Sequence, residues 1–365
     1  MPVTKCYEAQ IEYIQILDED GVLDEQLAQD TLDDDDVLFL YEQMSFGRGL
    51  DEIAFKLQRS GRLGTYPQNK GQEAASAGTS FALRPSDWVV ASYRANLALF
   101  HMGVPPENVL LNWMGDERGN RIPEGVNVTP LSVPIGTHML HAVGIGWAAK
   151  IRQEDTVVAT YFGDGATSEG DFHEAMNFAS VYKTPTVFIC QNNGWAISTP
   201  SSSQTGSKTF AQKALAYGIQ TIRVDGNDIF ATYKAMQTAV ERGRTECLPT
   251  FIECQTYRFG DHTTADDARR YRDADELDQW LLKDPLIRIR KYLGRKGLWD
   301  DAKQTALDDK VEADVKATVD RAMNIEAPTK SDFFDHMFAS IPPDLAKQRD
   351  TMQTHSLGLE PTPET

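Results

Sequence analysis

The sequence lacks the features that mark secreted and membrane-spanning proteins. It has only four cysteines in 365 residues, and none of them forms a C-x-x-C pair. A disulfide scaffold is therefore not expected, and a reducing compartment such as the cytoplasm is predicted. No apolar run approaches the ~18 residues that a membrane helix needs, so we expect neither a membrane span nor a signal peptide.

Basic residues are scarce relative to acidic ones. The chain carries 36 lysines and arginines against 54 aspartates and glutamates, which gives a net charge of −18. Such a surface repels polyanions, so neither nucleic acid nor an anionic membrane is expected as a partner. A small anionic ligand is still compatible with this charge, because a local site can oppose the global field.

The chain is long enough for one large domain or two modest ones. Residues 1–36 form an acidic arm, predicted to be solvated, that closes with the run Asp33–Asp36. Residues 37–300 alternate β-branched apolar runs with helical periodicity, which predicts an α/β domain with a parallel sheet flanked by helices. Residues 301–365 are predicted to form a helical C-terminal extension, with an unstructured tail beyond Gly358.

Residues 156–195 read as strand, glycine turn, helix and strand. The apolar run Thr156–Phe162 ends at Gly163-Asp164-Gly165, and the run Thr186–Cys190 ends at Gln191-Asn192-Asn193. In such a βαβ unit both polar turns lie beyond the carboxyl ends of strands, where open α/β sheets bind ligands.

These two strand ends offer one carboxylate, Asp164, and one carboxamide, Asn193, to a ligand. Oxygen ligands of this kind suit Mg²⁺, which takes one or two protein side chains and leaves its other positions to phosphates and water. The glycine turn and the following helix start would add backbone N–H groups and a positive dipole end beside a phosphate. The pair therefore predicts a diphosphate held through Mg²⁺.

Two other interpretations start from different features. Gly144-x-Gly146 would suit a nicotinamide-dependent dehydrogenase, but no strand precedes it and no acidic residue follows at the expected distance. A non-catalytic magnesium-binding scaffold would need only the two oxygen ligands. The presence of Arg94 and His262 as well favours a catalytic site.

Motifs spread over residues 37–300 carry a resemblance to one enzyme family. They are Gly163-Asp-Gly through Asn192-Asn, which matches the thiamine diphosphate motif, with GRLGTYPQNKGQEA (61–74), SYR (92–94), IPEGVNV (122–128), NNGWAISTP (192–200), VDGND (224–228) and TYRFGDHTTADDARRYR (256–272). The chain resembles the α subunit of the first, decarboxylating component of 2-oxo acid dehydrogenase complexes. The resemblance implies a thiamine diphosphate-binding fold with an N-terminal arm and a helical C-terminal region.

The resemblance also implies roles for individual residues. Asp164, Asn193 and the backbone carbonyl of Trp195 would bind Mg²⁺. Ile197 would prop the cofactor in the bent shape that brings its aminopyrimidine against the thiazolium carbon. His262, the catalytic candidate, would act in reductive acylation of the lipoyl group. The positions that match other cofactor contacts are Tyr93, Arg94, Ile135, Gly163, Gly165, Ala166 and His262 itself.

Some relatives hold a potassium ion at four further positions. They match Ser132, Pro134, Thr137 and His138, where the histidine replaces an amide. Two other departures concern the cofactor site. Gln191 stands where some branched-chain relatives carry an arginine for the cofactor phosphate, and Asp261 is expected to raise the pKa of His262.

A complete thiamine diphosphate enzyme also needs a domain that holds the aminopyrimidine and supplies an activating glutamate. The chain has no spare length for a second domain of ~150 residues, so a β subunit is expected in a two-α, two-β heterotetramer. The resemblance implies oxidative decarboxylation of a 2-oxo acid and acyl transfer to the lipoylated dihydrolipoamide acyltransferase component. Pyruvate is the favoured substrate, ahead of a branched-chain 2-oxo acid such as 3-methyl-2-oxobutanoate and of acetoin.

Overall fold

The structure, a computed structural model, describes residues 3–326, 328–335 and 337–354. These residues form two compact units, with the division between Val319 and Asp320. The first unit is an α/β domain, and the second is helical. The predicted tail beyond Gly358 lies outside the described residues.

The strands of the first unit confirm the predicted parallel sheet. They are β1 (Tyr13–Ile14), β2 (Trp88–Ala91), β3 (Val158–Gly163), β4 (Thr186–Asn192), β5 (Trp195–Ala196), β6 (Thr199–Pro200), β7 (Gln220–Asp225) and β8 (Thr250–Gln255). Six of them form a sheet in the order β1-β7-β8-β4-β3-β2, with every pairing parallel. The central strands are buried nearly throughout, which explains their continuous apolar and β-branched sequence. The short β5 and β6 form a separate antiparallel hairpin.

Helices connect and flank the strands. They are α1 (Asp34–Arg59), α2 (Glu73–Phe81), α3 (Asn96–His101), α4 (Pro106–Met114), α5 (His138–Arg152), α6 (Gly170–Tyr182), α7 (Ser201–Gln204), α8 (Ala211–Leu215), α9 (Ile229–Glu246), α10 (Ala274–Leu281), α11 (Pro285–Arg295), α12 (Asp301–Met323), α13 (Asp332–Asp335) and α14 (Pro343–Thr354). Side chains of α5, α6 and α8 form one core cluster with β3, β4 and β8. Helices α2 and α9 touch closely, because a Cβ added at Gly78 would lie 2.1 Å from the Thr232 hydroxyl oxygen.

The acidic arm is more ordered than predicted. Residues 3–10 are exposed, but β1 pairs with β7, and the buried Ile16 and Leu17 donate their N–H groups to Asp228 at 2.6 and 2.8 Å. The run Asp33–Asp36 begins helix α1: Asp33 caps it, and the next three acids occupy its first turn. Negative charge is favourable at that end of a helix dipole. The solvated segment is therefore limited to the first residues of the arm.

The four cysteines are free thiols, in agreement with the predicted lack of a disulfide scaffold, and Cys190 and Cys254 are buried. None of the helices in the described ranges combines the length and the apolarity that a membrane span needs.

Candidate active site

Four neighbouring strands end at one edge of the sheet and surround a cavity of about 210 Å³. Arg94, Asp164, Asn193 and Arg258 follow the carboxyl ends of β2, β3, β4 and β8, respectively. The cavity is lined by Gln72, Ser92, Tyr93, Arg94, Ile135, Gly163, Asp164, Gly165, Ala166, Glu169, Gln191, Asn193, Trp195, Ala196, Ile197, Arg258 and His262. Every residue that the resemblance assigned to the cofactor therefore lies in one place.

Asp164 begins a 3₁₀ turn, residues 164–168, that directly follows β3. Its side chain is buried, with 1% of the residue exposed, and one carboxylate oxygen accepts a hydrogen bond from Gln204 Nε2 at 2.7 Å. Burial raises the pKa of Asp164, and no ion pair reaches it from any residue that the structure describes. A buried carboxylate without a cationic partner is unfavourable, so a divalent cation would complete this site.

Asn193 faces the same point from the end of β4. Its Oδ1 accepts the Trp195 N–H at 3.2 Å, and its Nδ2 donates to Gln72 Oε1 at 3.2 Å. Gly194 has φ +85°, the left-handed region that glycine adopts without strain, and this tight turn lets Asn193 reach back to Trp195.

Two buried amide atoms beside this pair have no hydrogen-bond partner. They are Gln72 Nε2 and Gln204 Oε1, whose side chains contact Asn193 and Asp164, respectively. Buried polar atoms are normally satisfied, and a bound ion with its water ligands would satisfy these. Among the described residues no group of three or more His, Cys, Asp or Glu side chains could hold a metal ion. Asp164 and Asn193 nevertheless fit Mg²⁺, because it takes one or two protein side chains and its other ligands from phosphate and water.

Ile197 adopts a strained conformation at the cavity rim. It lies in the turn between β5 and β6 with φ +56°, a region that β-branched residues rarely adopt, and it is 54% exposed. Arg258 Nη2 holds its carbonyl at 3.3 Å. Such strain costs about 1–3 kcal/mol and clusters at ligand sites. An apolar side chain displayed here at that cost suits the predicted role as a cofactor prop.

His262 lies between two arginines. Its Nδ1 is 3.3 Å from Arg94 Nη2 and 3.2 Å from Arg258 Nη1. A guanidinium only donates hydrogen bonds, so Nδ1 is the acceptor and the ring proton is on Nε2. Burial, followed by the charges of Arg94 and Arg258, lowers the pKa of His262 to about 3. The imidazole is therefore neutral near pH 7 and offers Nε2–H as a hydrogen-bond donor.

The prediction that Asp261 raises the pKa of His262 is wrong. The Asp261 carboxylate accepts the Ala268 N–H at 2.8 Å and is thereby engaged away from the imidazole. Asp266 is the acid that opposes the arginines: its Oδ2 accepts hydrogen bonds from the backbone N–H of His262 at 2.9 Å and from the hydroxyl of Tyr271. Its effect is smaller than theirs, so the net pKa shift of His262 is downward.

Part of the lining was missed from the sequence. Gln72 lies inside a motif that matched the family, and that motif was a usable signal for it. Ala196 likewise lies inside the matching motif NNGWAISTP (192–200), whereas Glu169 gave no signal of its own. Gln191, the departure from an arginine, donates from Nε2 to Ser76 Oγ at 2.8 Å and so links β4 to α2.

The four positions that hold potassium in some relatives lie outside the cavity lining, next to Ile135. Ser132 Oγ donates to the Pro134 carbonyl at 3.2 Å, and Thr137 Oγ1 donates to Asp171 Oδ2 at 2.8 Å. His138 Nε2 lies 2.8 Å from the Tyr161 carbonyl oxygen.

We expect residues 259–272 to loosen as the pH falls below about 6.5, the ordinary pKa of histidine. The pKa of His262 is lowered in the folded state, so the unfolded state binds the proton more readily and stability is lost as the pH falls from that value toward 3. Hydrogen exchange of this segment at pH 5 and pH 7.5, corrected for intrinsic exchange, measures the effect. The neutral variant His262→Gln should lose the pH dependence, and an equal dependence in that variant would contradict the assignment.

Comparisons with known proteins identify the family of the chain. A family profile described as dehydrogenase E1 component matches residues 41–331, a range that includes the whole cavity lining. The chain is 42% identical over 343 residues to the pyruvate dehydrogenase E1 component subunit alpha of Staphylococcus aureus strain Mu50, across 93% of this chain and 92% of that protein. The protein of the same name from Staphylococcus epidermidis strain RP62A matches with the same identity and coverage.

Proposed function

We infer, because the chain belongs to the dehydrogenase E1 component family, that it is the α subunit of a pyruvate-type 2-oxo acid dehydrogenase. Such an enzyme oxidatively decarboxylates a 2-oxo acid and transfers the acyl group to the lipoyl group of the acyltransferase component. The observation that carries this conclusion is the single cavity that gathers Asp164, Asn193, Arg94, Ile197 and His262. A cytoplasmic location stays a prediction.

We propose that the cavity binds thiamine diphosphate through Mg²⁺. When bound, this cofactor supplies the carbanion chemistry, and the protein supplies orientation and electrostatics. Asp164 and Asn193 would hold the metal, with the Trp195 carbonyl as a third ligand. The guanidinium groups of Arg94 and Arg258 place positive charge in the cavity, which suits the diphosphate.

The other cavity residues fix geometry and protons. Ile197 would support the bent cofactor from the rim. The two arginines hold the His262 ring through Nδ1, so its proton stays on Nε2 and points away from them. That N–H would donate a hydrogen bond to the lipoyl or acyl group during acyl transfer. The arrangement suits a hydrogen-bond donor, because the arginines occupy the Nδ1 lone pair and the neutral ring does not release its Nε2 proton near pH 7.

We propose that a β subunit docks beside this cavity along helices α5 and α6. Both helices begin next to the cavity, at His138 and Gly170. Their outer side exposes an apolar strip made of Trp147 (38%), Ile151 (68%), Phe178 (45%), Val181 (65%) and Tyr182 (36%). Large exposed apolar patches mark interaction sites. The strip lies on the second halves of two helices that begin beside a half-site needing a second chain, which is why the β subunit is the occupant that we infer.

The decisive experiment expresses this chain with and without its β partner and measures turnover with a lipoyl acceptor. We expect no turnover by the α chain alone, because the activating glutamate is supplied by the other subunit. For the complex, kcat/KM for pyruvate should exceed that for 3-methyl-2-oxobutanoate by about tenfold or more, a discrimination within reach of an apolar pocket. Decarboxylation by the isolated chain would refute the proposal that this chain holds only half of the active site. A preference for 3-methyl-2-oxobutanoate would refute the pyruvate assignment.

Acidic residues in the α5–α6 strip should prevent assembly. Ile151→Asp and Val181→Asp would each place an unpaired charge in the buried interface, which should weaken association about 100-fold or more. Sedimentation velocity of the α–β mixture measures this. Val22→Asp, at an exposed apolar position on the arm (49%), is the matched control. If both strip variants form normal heterotetramers, the β subunit docks on a different surface.

A further inference from the structure

The segment Ser132–His138 forms one wall of the cofactor cavity through Ile135. The start of the segment is fixed at the end of β2, where the Ser132 N–H donates to the Ala91 carbonyl at 3.2 Å and Ser132 pairs with Ser92. Its other end is His138, the first residue of α5. Whatever fixes that second end therefore helps to set the shape of the cavity.

The oxygen atoms of this segment offer potassium an incomplete site. A hard cation is held by several converging oxygens, and one of the oxygens that potassium-binding relatives supply is missing here. The two hydroxyls of the segment donate to neighbouring oxygens. Ser132 donates to the Pro134 carbonyl, and Thr137 donates to Asp171. The position at which potassium-binding relatives carry an amide holds an imidazole, which has no oxygen. The donor set thus disagrees with the expectation of a potassium ion.

His138 makes the connection that fixes the second end. It is buried, with 2% exposed, and Nε2 carries the ring proton because its partner, the Tyr161 carbonyl at 2.8 Å, only accepts. The same carbonyl accepts the Ser92 N–H at 3.3 Å. His138 Nδ1 is buried near the Pro134 carbonyl and has no hydrogen-bond partner. One imidazole therefore joins α5 to β3, three residues before Asp164, at the carbonyl that β2 also reaches.

We infer that the His138 imidazole takes the place of a potassium ion in ordering the segment Ser132–His138, so that this enzyme needs no potassium. The inference rests on the proposed function only in naming the cavity as the cofactor site. It makes His138 a positioning residue, since the imidazole acts on the cofactor through Ile135 and through the end of β3. The readout is therefore the order of the segment rather than catalysis.

Hydrogen exchange of the peptide that covers residues 132–137, in the α–β complex without added cofactor, tests this inference. In the wild type, exchange should be equal in KCl and in NaCl at matched ionic strength. His138→Ala should exchange about fivefold faster in both salts, the change expected from loss of one buried hydrogen bond. His138→Gln, which restores an amide, should exchange faster than wild type in NaCl and be slowed by KCl. His101→Gln, on α3, is the control and should leave this peptide unchanged.

Three results would overturn the inference. The first is slower exchange of the wild-type peptide in KCl than in NaCl. The second is an unchanged exchange rate in both His138 variants, and the third is an equal exchange rate of the His138→Gln peptide in KCl and in NaCl. If His138→Ala fails to fold, the His138→Gln measurement still decides. A failure of the proposed pyruvate activity would leave these exchange rates unaffected, so the two proposals fail separately.

Discussion

Replacing Asp164 with asparagine is expected to abolish activity while it stabilises the protein without ligands. The carboxylate is buried and has no ion pair in the part of the chain that the structure describes, and burial raises its pKa. A raised pKa in an acid means that ionisation opposes folding, so the charge costs stability as the pH rises above about 3.9. Asparagine removes that cost and can still accept the hydrogen bond from Gln204 Nε2.

The ligand response should change in the opposite direction. Without the carboxylate the metal loses its anionic side-chain ligand, so Mg²⁺ with thiamine diphosphate should no longer raise the melting temperature of the complex. Thermal unfolding of wild type and variant, with and without both ligands, measures the two effects. We expect the ligand-free variant to be more stable by on the order of 1–3 kcal/mol. A ligand-induced shift as large as that of the wild type would exclude Asp164 as a metal ligand.

Gln204→Met, beside Asp164, provides the control. Gln204→Glu would add a second carboxylate next to Asp164 and disturb the metal site, whereas Gln204→Met removes only the hydrogen bond at 2.7 Å. The methionine variant should keep the ligand-induced shift, although with weaker affinity. Loss of the response in Asp164→Asn with retention in Gln204→Met would separate ligation from simple packing.

The position of the cavity followed from the sequence because its walls are strand ends. Glycine and amide turns after buried apolar runs place Asp164 and Asn193 at one edge of a parallel sheet, whatever the details of the helices. The two-residue strand β1 was missed because it is shorter than any window in which alternation can be recognised. Its burial depends on pairing with β7, more than two hundred residues later in the chain.

The electrostatics of the site were less accessible than its location. The pKa of His262 was predicted from its sequence neighbour Asp261, whereas the structure sets it through burial and then through the charges of Arg94, 168 residues away, and Arg258. The amides of Gln72 and Gln204 likewise reach Asn193 and Asp164 across the fold. Such contacts arise from tertiary packing and leave no local pattern, so sequence reasoning identified the residues but not the sign of the shift.

Removing the imidazole of His262 is expected to separate the two half-reactions. His262→Ala should bind Mg²⁺ and thiamine diphosphate nearly as the wild type does, because Arg94 still donates to the residue 262 carbonyl, at 2.8 Å in the structure, and keeps the loop in place. Decarboxylation of pyruvate, followed with an artificial electron acceptor, should be largely retained. Acylation of a lipoylated domain should fall about 10²–10³-fold, the range for loss of one preorganised hydrogen-bond donor at a reacting group.

The neutral protonation state of the His262 imidazole makes this expectation more specific. An imidazole with a pKa of about 3 and its proton on Nε2 acts through a fixed N–H, so the acylation rate should show no titration of this group between pH 5.5 and 8 beyond the loosening of its loop. His262→Gln, whose side-chain amide also carries N–H groups, should recover part of the rate if the histidine only donates a hydrogen bond. No recovery in that variant would show that a hydrogen bond from this position does not account for the role of the imidazole. Full lipoyl acylation by His262→Ala would exclude a role for the imidazole in acyl transfer.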